Sequence, residues 1–476
     1  MVRSTDHRSD MRTSESRTLA VASGGTLIAL IAFCVPLTAI NETATALGAD
    51  SGGRIWILSS MSVGLGAALL SAGTIADDYG RRRIFVSGAA LFAVASIAAA
   101  FAPGTITFVI ARIAEGVGGA ALIAASLGLI AHAFPAGPAR AAASGVWGAS
   151  VGGGIALGPL LAGVSGRFAD WRAAYWVIAA VAAVIAVAAG KLLDESRVEH
   201  PSRLDVPGTL LLAAGMSALL AALIEGRSGG IRPIVVGLAV AAPVLLIAFF
   251  VVELRSRAAM LDPRLFTRPA FLAATGAAFA TGMGIIALMS YLSGFVGAAL
   301  GISVLGAAWL IFAWSATSVV TALFARRIRL SGRIQLAIGL AAVGVGQLTL
   351  LGLGPESGWQ RFVPSLIGIG IASGVVNAGL GREAVASVPA GRGSLGSGAN
   401  NTARYVGSAV GVTVVSVIAS GPAHSDASAL FTGWNHATLF TAAASFAGAL
   451  LVLACRRRGV VPAPIAAAAI GDSLKL

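Results

Sequence analysis

Charge is what this chain has least of. Only 53 of its 476 residues are charged, or 11%, about half the share usual in a globular domain. That excludes a large water-soluble protein. Lysine is reduced to Lys191 and Lys475, and neither completes the Gly-x-x-x-x-Gly-Lys-Ser/Thr loop that cradles nucleotide phosphates. ATP hydrolysis within this chain is therefore excluded. The five histidines are scattered, and no His-Glu-x-x-His or Cys-x-x-Cys occurs, so neither a metal centre nor a cofactor is expected. The two cysteines, Cys34 and Cys455, lie in the first and last apolar runs and read as small apolar residues rather than a disulfide. Gly116-Val117-Gly118-Gly119 sits inside an apolar run, without the strand–helix context of a dinucleotide loop. No nucleophile–base set is visible, so the chain does not read as an enzyme. The short alternating segments of a membrane β-barrel are missing as well.

What the sequence does have is hydrophobic length. Residues of the apolar class make up 57% of it, in runs of about 20, the length a helix needs to cross a bilayer. Fourteen runs are expected to span, at roughly 19–40, 55–76, 83–102, 105–133, 140–165, 172–193, 208–226, 231–252, 270–293, 303–325, 334–354, 361–381, 395–419 and 434–455. The fold class expected is all-α and polytopic. The net charge of +13 does not mark a nucleic-acid partner. With the amino terminus in the cytoplasm, 25 of the 33 Lys and Arg fall on inner loops and tails, six on outer loops, and Arg112 and Arg404 inside spans. This is the positive-inside asymmetry, and it places both termini in the cytoplasm. The first 18 residues are polar and are expected to form a disordered tail. The run after them is longer than the core of a cleavable signal.

Three segments carry more than hydrophobicity. Between the second and third runs lies Gly73-Thr74-Ile75-Ala76-Asp77-Asp78-Tyr79-Gly80-Arg81-Arg82-Arg83. Its glycines allow a tight turn, and Asp77 can pair with the arginines or with a neighbouring helix terminus. In the fourth run, Arg112 and Glu115 are three apart and share a helix face. Charges at that depth are costly and by default mark function, although a purely structural ion pair fits the spacing equally. In the fifth run, Gly145, Gly154, Gly158, Pro159 and Gly163 recur at intervals that suit backbone-to-backbone helix contact. Pro159 is expected to bend that helix, which a membrane tolerates where neighbours satisfy the freed carbonyl.

These segments resemble signatures of the major facilitator superfamily. The loop is similar to its Gly-x-Leu-x-Asp-x-x-Gly-Arg-Arg motif, matching at Gly73, Asp77, Gly80, Arg81 and Arg82, with Ile75 in place of leucine. The resemblance implies a conformational-switch loop whose contacts break as a carrier changes state. Arg112 and Gly116 match the fourth-span motif, where the arginine is implicated in proton transfer, and Glu115 replaces its glutamine. The fifth run is similar to the antiporter signature, with Ala162 substituting for one glycine. That signature accompanies exporters.

The second half echoes the first. Gly332-Arg333 holds the place of Gly80-Arg81, with Arg329 where the first copy has Asp77, as expected of a carrier built from two related halves. The expected organisation is a cytoplasmic tail (1–18), an N-terminal six-helix bundle (19–193), a linker with two additional helices (194–269), a C-terminal six-helix bundle (270–455) and a second tail (456–476). The flanks Arg203–Gly208 and Leu261–Phe266 resemble the linkers of the fourteen-span drug:proton antiporter subfamily.

That subfamily has an aspartate in its first span, which is missing here. Glu42 either replaces it or is a surface residue near the outer mouth. Asn41, Asn377, Asn401 and Arg404 are candidate substrate contacts, with Asn400 beside them. They either bind substrate or join helices. The function expected is export of small hydrophobic molecules in exchange for protons by alternating access, and the membrane expected for such an exporter is the plasma (inner) membrane. Glu115 and Glu42 would be the proton-binding carboxylates, and Arg112 would favour their charged form. The partners are then a small solute, protons and lipid, with a single chain as the working unit. The alternative is a proton-independent exporter or facilitator of an endogenous metabolite.

Overall fold

The computed structural model describes residues 2–199, 201, 205–226, 232–256, 259–327, 330–354, 356–419 and 427–455. Every regular element among them is a helix. In chain order they are α1 (Val2–Ala46), α2 (Ser51–Tyr79), α3 (Arg81–Ala100), α4 (Thr105–Ala133), α5 (Pro138–Phe168), α6 (Trp171–Leu192), α7 (Val206–Gly226) and α8 (Pro233–Arg255). There follow α9 (Pro269–Leu300), α10 (Val304–Phe324), α11 (Gly332–Leu348), α12 (Phe362–Ala386), α13 (Gly393–Ala419) and α14 (Ala427–Ala454). All but α11 are long and apolar enough to cross a membrane. The helix α11 keeps 17 residues and ends at Leu348 in a turn, earlier than its apolar run suggests. Inside α9, residues Gly282–Ile286 form a π turn.

One expectation fails at the start. The polar tail is helical, and α1 runs unbroken from Val2. No glycine or proline precedes Gly24 after the first residue, so nothing interrupts propagation backwards from the apolar span.

The core has two centres. The largest apolar cluster is drawn almost wholly from α1–α6, around Phe85, Phe92, Phe108, Trp147, Trp171 and Tyr175. A second is drawn from α9, α10, α11, α12 and α14, around Phe295, Trp314, Phe362 and Trp434. Lipid is as apolar as these side chains, so close packing and buried hydrogen bonds hold the helices together rather than exclusion from water. Trp147 shows how. Its indole Nε1 donates to Thr26 Oγ1 of α1 (3.0 Å) and to Ser126 Oγ of α4 (2.9 Å), tying three helices at one point.

The helix α4 is the most interior, with 83% of its apolar window buried, and α8 the least, with 11%. The helix α8 packs on α7 and on the short turn after it, which puts the hairpin at the periphery. The helix α7 touches both halves, α2 in the first and α13 in the second. Leu220 fits against Gly66 of α2, Trp56 Nε1 donates to Glu225 Oε1 (2.6 Å), and Thr413 Oγ1 of α13 donates to Leu223 O (3.2 Å).

Candidate functional site

At the end of the molecule that carries the α2–α3 corner, the two centres are tied together. Asp77 is fully buried at the end of α2. Its carboxylate accepts from Arg81 Nε (2.8 Å) and from the backbone N–H groups of Ser394 (3.2 Å) and Leu395 (2.8 Å). Those N–H groups belong to the first turn of α13, which has no partners of its own for them and favours a negative charge. Asp77 thus meets both partners open to it in the sequence. Arg81 also donates to Ser196 Oγ (3.3 Å) and to Gly391 O. Beside them Arg392 donates to Asp78 Oδ1 (2.7 Å). Gly73 lies so close to α13 that a side chain there would overlap Ser394. Gly80 turns the corner at φ +125°, and Glu195 packs against it and accepts from the N–H groups of Arg82 and Arg83. Arg82 also reaches Gly190 O through its side chain. Gly73, Asp77 and Arg81 therefore meet the α13 side, whereas Gly80 and Arg82 are held by Glu195 and Gly190 of their own half. The sequence did not single out its partners Gly391 and Arg392, although the Ala-Gly-Arg-Gly run that holds them is an obvious basic turn.

In the second half, Arg333 donates to Cys455 O (2.8 Å), a contact within its own bundle. Arg329 lies outside the described residues.

The fifth-span glycines divide between two tasks. Gly154 and Gly158 face α1. A Cβ on Gly154 would overlap Leu30, and one on Gly158 would stand 2.7 Å from Ile31 O. Gly145 and Gly148 face the other body instead: a Cβ there would stand 2.9 Å from Ala322 O of α10 and 3.1 Å from the backbone of Ala378 of α12, respectively. A Cβ on Gly163 would meet no other part of the molecule within 4 Å. The helix runs on through Pro159.

Arg112 and Glu115 form a salt bridge with neither side chain exposed. Ser96 Oγ donates to Glu115 (2.6 Å), and Arg112 Nη2 donates to Ala32 O of α1 (2.9 Å). The Ala32 carbonyl is free because Pro36, four residues on, has no N–H to bond it. The arginine therefore fills a gap that the proline opens. Its guanidinium also lies 5.6 Å from the ring centre of Tyr175.

On the other side of α1, between the two bodies, is a cavity of about 40 Å³. It is lined by Phe33, Cys34, Met289, Trp314, Arg404 and Tyr405 among others. It has room for a few waters only, far below the volume of about 300 Å³ or more that holds a drug-sized ligand. Closed at the α2–α3 end and nearly filled at the centre, this arrangement has no room for a drug-sized guest. Trp314 both lines this space and donates to Ser373 Oγ (3.1 Å).

Of the polar candidates, only Arg404 reaches the cavity. Asn400 Nδ2 donates to Ala274 O of α9 (2.9 Å) and Asn401 Nδ2 to Ser397 O (3.0 Å), so these amides serve helices. Asn377 is buried in α12 where its backbone meets Gly148. At the opposite end Asn41 accepts from Arg54 (3.0 Å), and exposed Glu42 accepts from Trp171 N–H (3.1 Å) at the start of α6. Glu42 and Glu115 are not brought together.

The family model that matches this chain is described as the Major Facilitator Superfamily and covers residues 21–412. A puromycin resistance protein of Streptomyces alboniger is 31% identical over 412 residues, 85% of this chain and 81% of that one. The multidrug efflux pump LfrA of Mycolicibacterium smegmatis is 30% identical over 82% of this chain and 77% of its own length. A methylenomycin A resistance protein of Bacillus subtilis is 27% identical over 91% and 93%. Among solved structures, the proton:xylose symporter XylE superposes with a TM-score of 0.65 over 93% of this chain and 96% of that one, at 15% identity. A human organic anion transporter gives the same score at 18% identity, over 92% and 99%. The fourteen apolar helices, the α2–α3 corner bonded to α13 and these likenesses agree, and the chain is a multi-pass membrane transporter belonging to the major facilitator superfamily.

Proposed function

We propose that this transporter exports small, largely apolar molecules, drugs or antibiotics among them, from the cytoplasm across the plasma membrane in exchange for protons. The observation that carries the reading is the buried Arg112–Glu115 pair and its hold on Ala32. A titratable carboxylate stands one helix behind the central cavity and acts on the helix that lines it. Resistance and efflux proteins among the relatives support the substrate class. The basic end, with Arg81–Arg83 and Arg392, is then cytoplasmic by the positive-inside rule, and both termini lie there.

The coupling works as follows. Charged Glu115 holds Arg112, and Arg112 holds α1 at the gap left by Pro36. A proton on Glu115 removes the charge that anchors the arginine. The Ala32 contact weakens, and α1 is released to shift against Gly154 and Gly158. The two bodies rock, the Asp77 closure opens toward the cytoplasm, and solute enters the widened centre. Loss of the proton reverses the steps. The 1–18, 19–193, 194–269, 270–455 and 456–476 division gives the moving bodies and their linker, with one chain sufficient for the cycle.

The test is accumulation of puromycin and a panel of unrelated inhibitors in a pump-deficient bacterial host, with and without a protonophore. Lower accumulation that the protonophore abolishes is the expected result. Export indifferent to the collapsed gradient favours the proton-independent alternative, and unchanged accumulation across the panel sinks export altogether.

A further inference from the structure

Three arginines are almost completely buried among the described residues: Arg81, Arg112 and Arg404. The first two each meet a buried carboxylate, Asp77 and Glu115. Arg404 does not. It is 4% exposed, it takes part in none of the ion pairs among the described residues, and its Nε has no hydrogen-bond partner. Its guanidinium carbon lies 5.9 Å from the ring centre of Tyr405, whose hydroxyl is also unpartnered. Both side chains line the central cavity, where Arg404 is the only charged residue. An isolated cation out of water is unfavourable unless something neutralises it, and no carboxylate among the described residues does.

The surroundings fit a charged guest with an apolar body. Phe33, Met289 and Trp314 supply the apolar walls. The π turn of α9 lies directly against α13, with Gly282 packed on Arg404 O. Such turns are frequent at functional sites because they displace the backbone from helical register. A guanidinium matches a planar two-oxygen anion with two parallel hydrogen bonds.

We propose that Arg404 and Tyr405 form the head-group subsite of the transport cavity, and that the preferred substrates are amphiphilic organic anions bearing a carboxylate or a similar oxyanion on an aromatic or aliphatic body. The proposal rests on the export reading for the direction of movement and on Arg404 alone for the substrate class. In this arrangement the cavity is too small for such a guest. It binds when the halves part, and its charge replaces the partner that Arg404 lacks.

The experiment uses the purified full chain in detergent and three fluorescent probes with one body: 9-anthroate, its methyl ester, and 9-anthracenylmethylammonium. Binding is read by fluorescence and by melting temperature. Anthroate is expected to bind best and to raise the melting temperature. Arg404→Gln is expected to weaken anthroate about ten-fold or more, the effect of losing a charge-assisted pair, while leaving the ester within about two-fold. Arg404→Lys keeps part of the anion preference. The ligand-free Arg404→Gln protein melts no lower than wild type, since an unpaired buried charge is gone. A purely structural arginine would instead lower the melting point and leave the order of the probes unchanged. Preference for the ammonium probe, equal binding of all three, or an unchanged anthroate affinity in Arg404→Gln each overturns the proposal. Binding as expected without export of anthroate from cells overturns the export reading and leaves the subsite standing.

Discussion

Glu115 is bonded by Ser96 and Arg112, and Arg112 in turn by Ala32 O, all out of reach of water. Taking away one charge of such a pair strands the other, at about 3–5 kcal/mol. Glu115→Gln is therefore expected to lower the melting temperature and to abolish gradient-driven export together. The double change Arg112→Met with Glu115→Leu removes both charges, so stability returns while gradient-driven export does not. Full export by Glu115→Gln in vesicles under an imposed pH gradient would remove this carboxylate from the mechanism. The pair was legible from its spacing of three. Its connection to α1 was not, because it depends on Pro36, which is remote in sequence and ordinary in a span. The cavity was less legible still. Phe33, Met289 and Trp314 look like the apolar residues found in every other run, and only their convergence from three helices distinguishes them.

At the scale of the helix, glycine spacing announces close packing but not the partner. All fourteen apolar runs became helices, because twenty apolar residues in a bilayer have few other ways to satisfy their backbone. Which faces meet depends on long-range packing that the period alone does not encode. In α5 the first glycines, Gly145 and Gly148, turned out to face α10 and α12, Gly154 and Gly158 α1, while a Cβ on Gly163 would meet nothing nearby. Gly154→Val forces Leu30 and α1 aside, an overpacking expected to cost about 1–3 kcal/mol and most of the export. Gly163→Ala has room and gains helix propensity of up to about 1 kcal/mol, so export is retained and the melting temperature holds or rises. Equal effects of the two changes, measured on purified protein, would show that this packing does not govern the helix. At the α2–α13 closure, Asp77→Asn removes the charge that Arg81 and the first turn of α13 both bind. Ser394, fully buried there, is the reporter. In a background lacking Cys34 and Cys455, Ser394→Cys should be protected from a thiol reagent, and adding Asp77→Asn should speed its labelling roughly ten-fold, as expected when about 1.4 kcal/mol of closure is lost.

For the molecule as a whole, sidedness decides what the closure means. Asp77, Arg81 and Arg392 seal one end and leave the opposite end without an equivalent set of buried ion pairs among the described residues. If the basic end is cytoplasmic, this state blocks the cell interior, and the solute-loading state must break Asp78–Arg392 as well as the Asp77 contacts. The chain holds its own marker for this. Cys34 is buried at the centre of the bundle, whereas Cys455 follows α14 at the basic end and is partly exposed. A membrane-impermeant maleimide is expected to leave intact cells unlabelled and to modify Cys455 in inside-out vesicles, with Cys455→Ser abolishing the signal. A second reading follows from the same geometry. Asp78→Cys with Arg392→Cys, in a background lacking the native cysteines, places two thiols across the closure. A short bifunctional maleimide added to inverted vesicles should join them and reduce export about ten-fold relative to the same variant before treatment. Labelling of Cys455 from outside intact cells would invert the molecule and make this the loading state. Undiminished export by the cross-linked protein would show that the two halves need not part at this end at all.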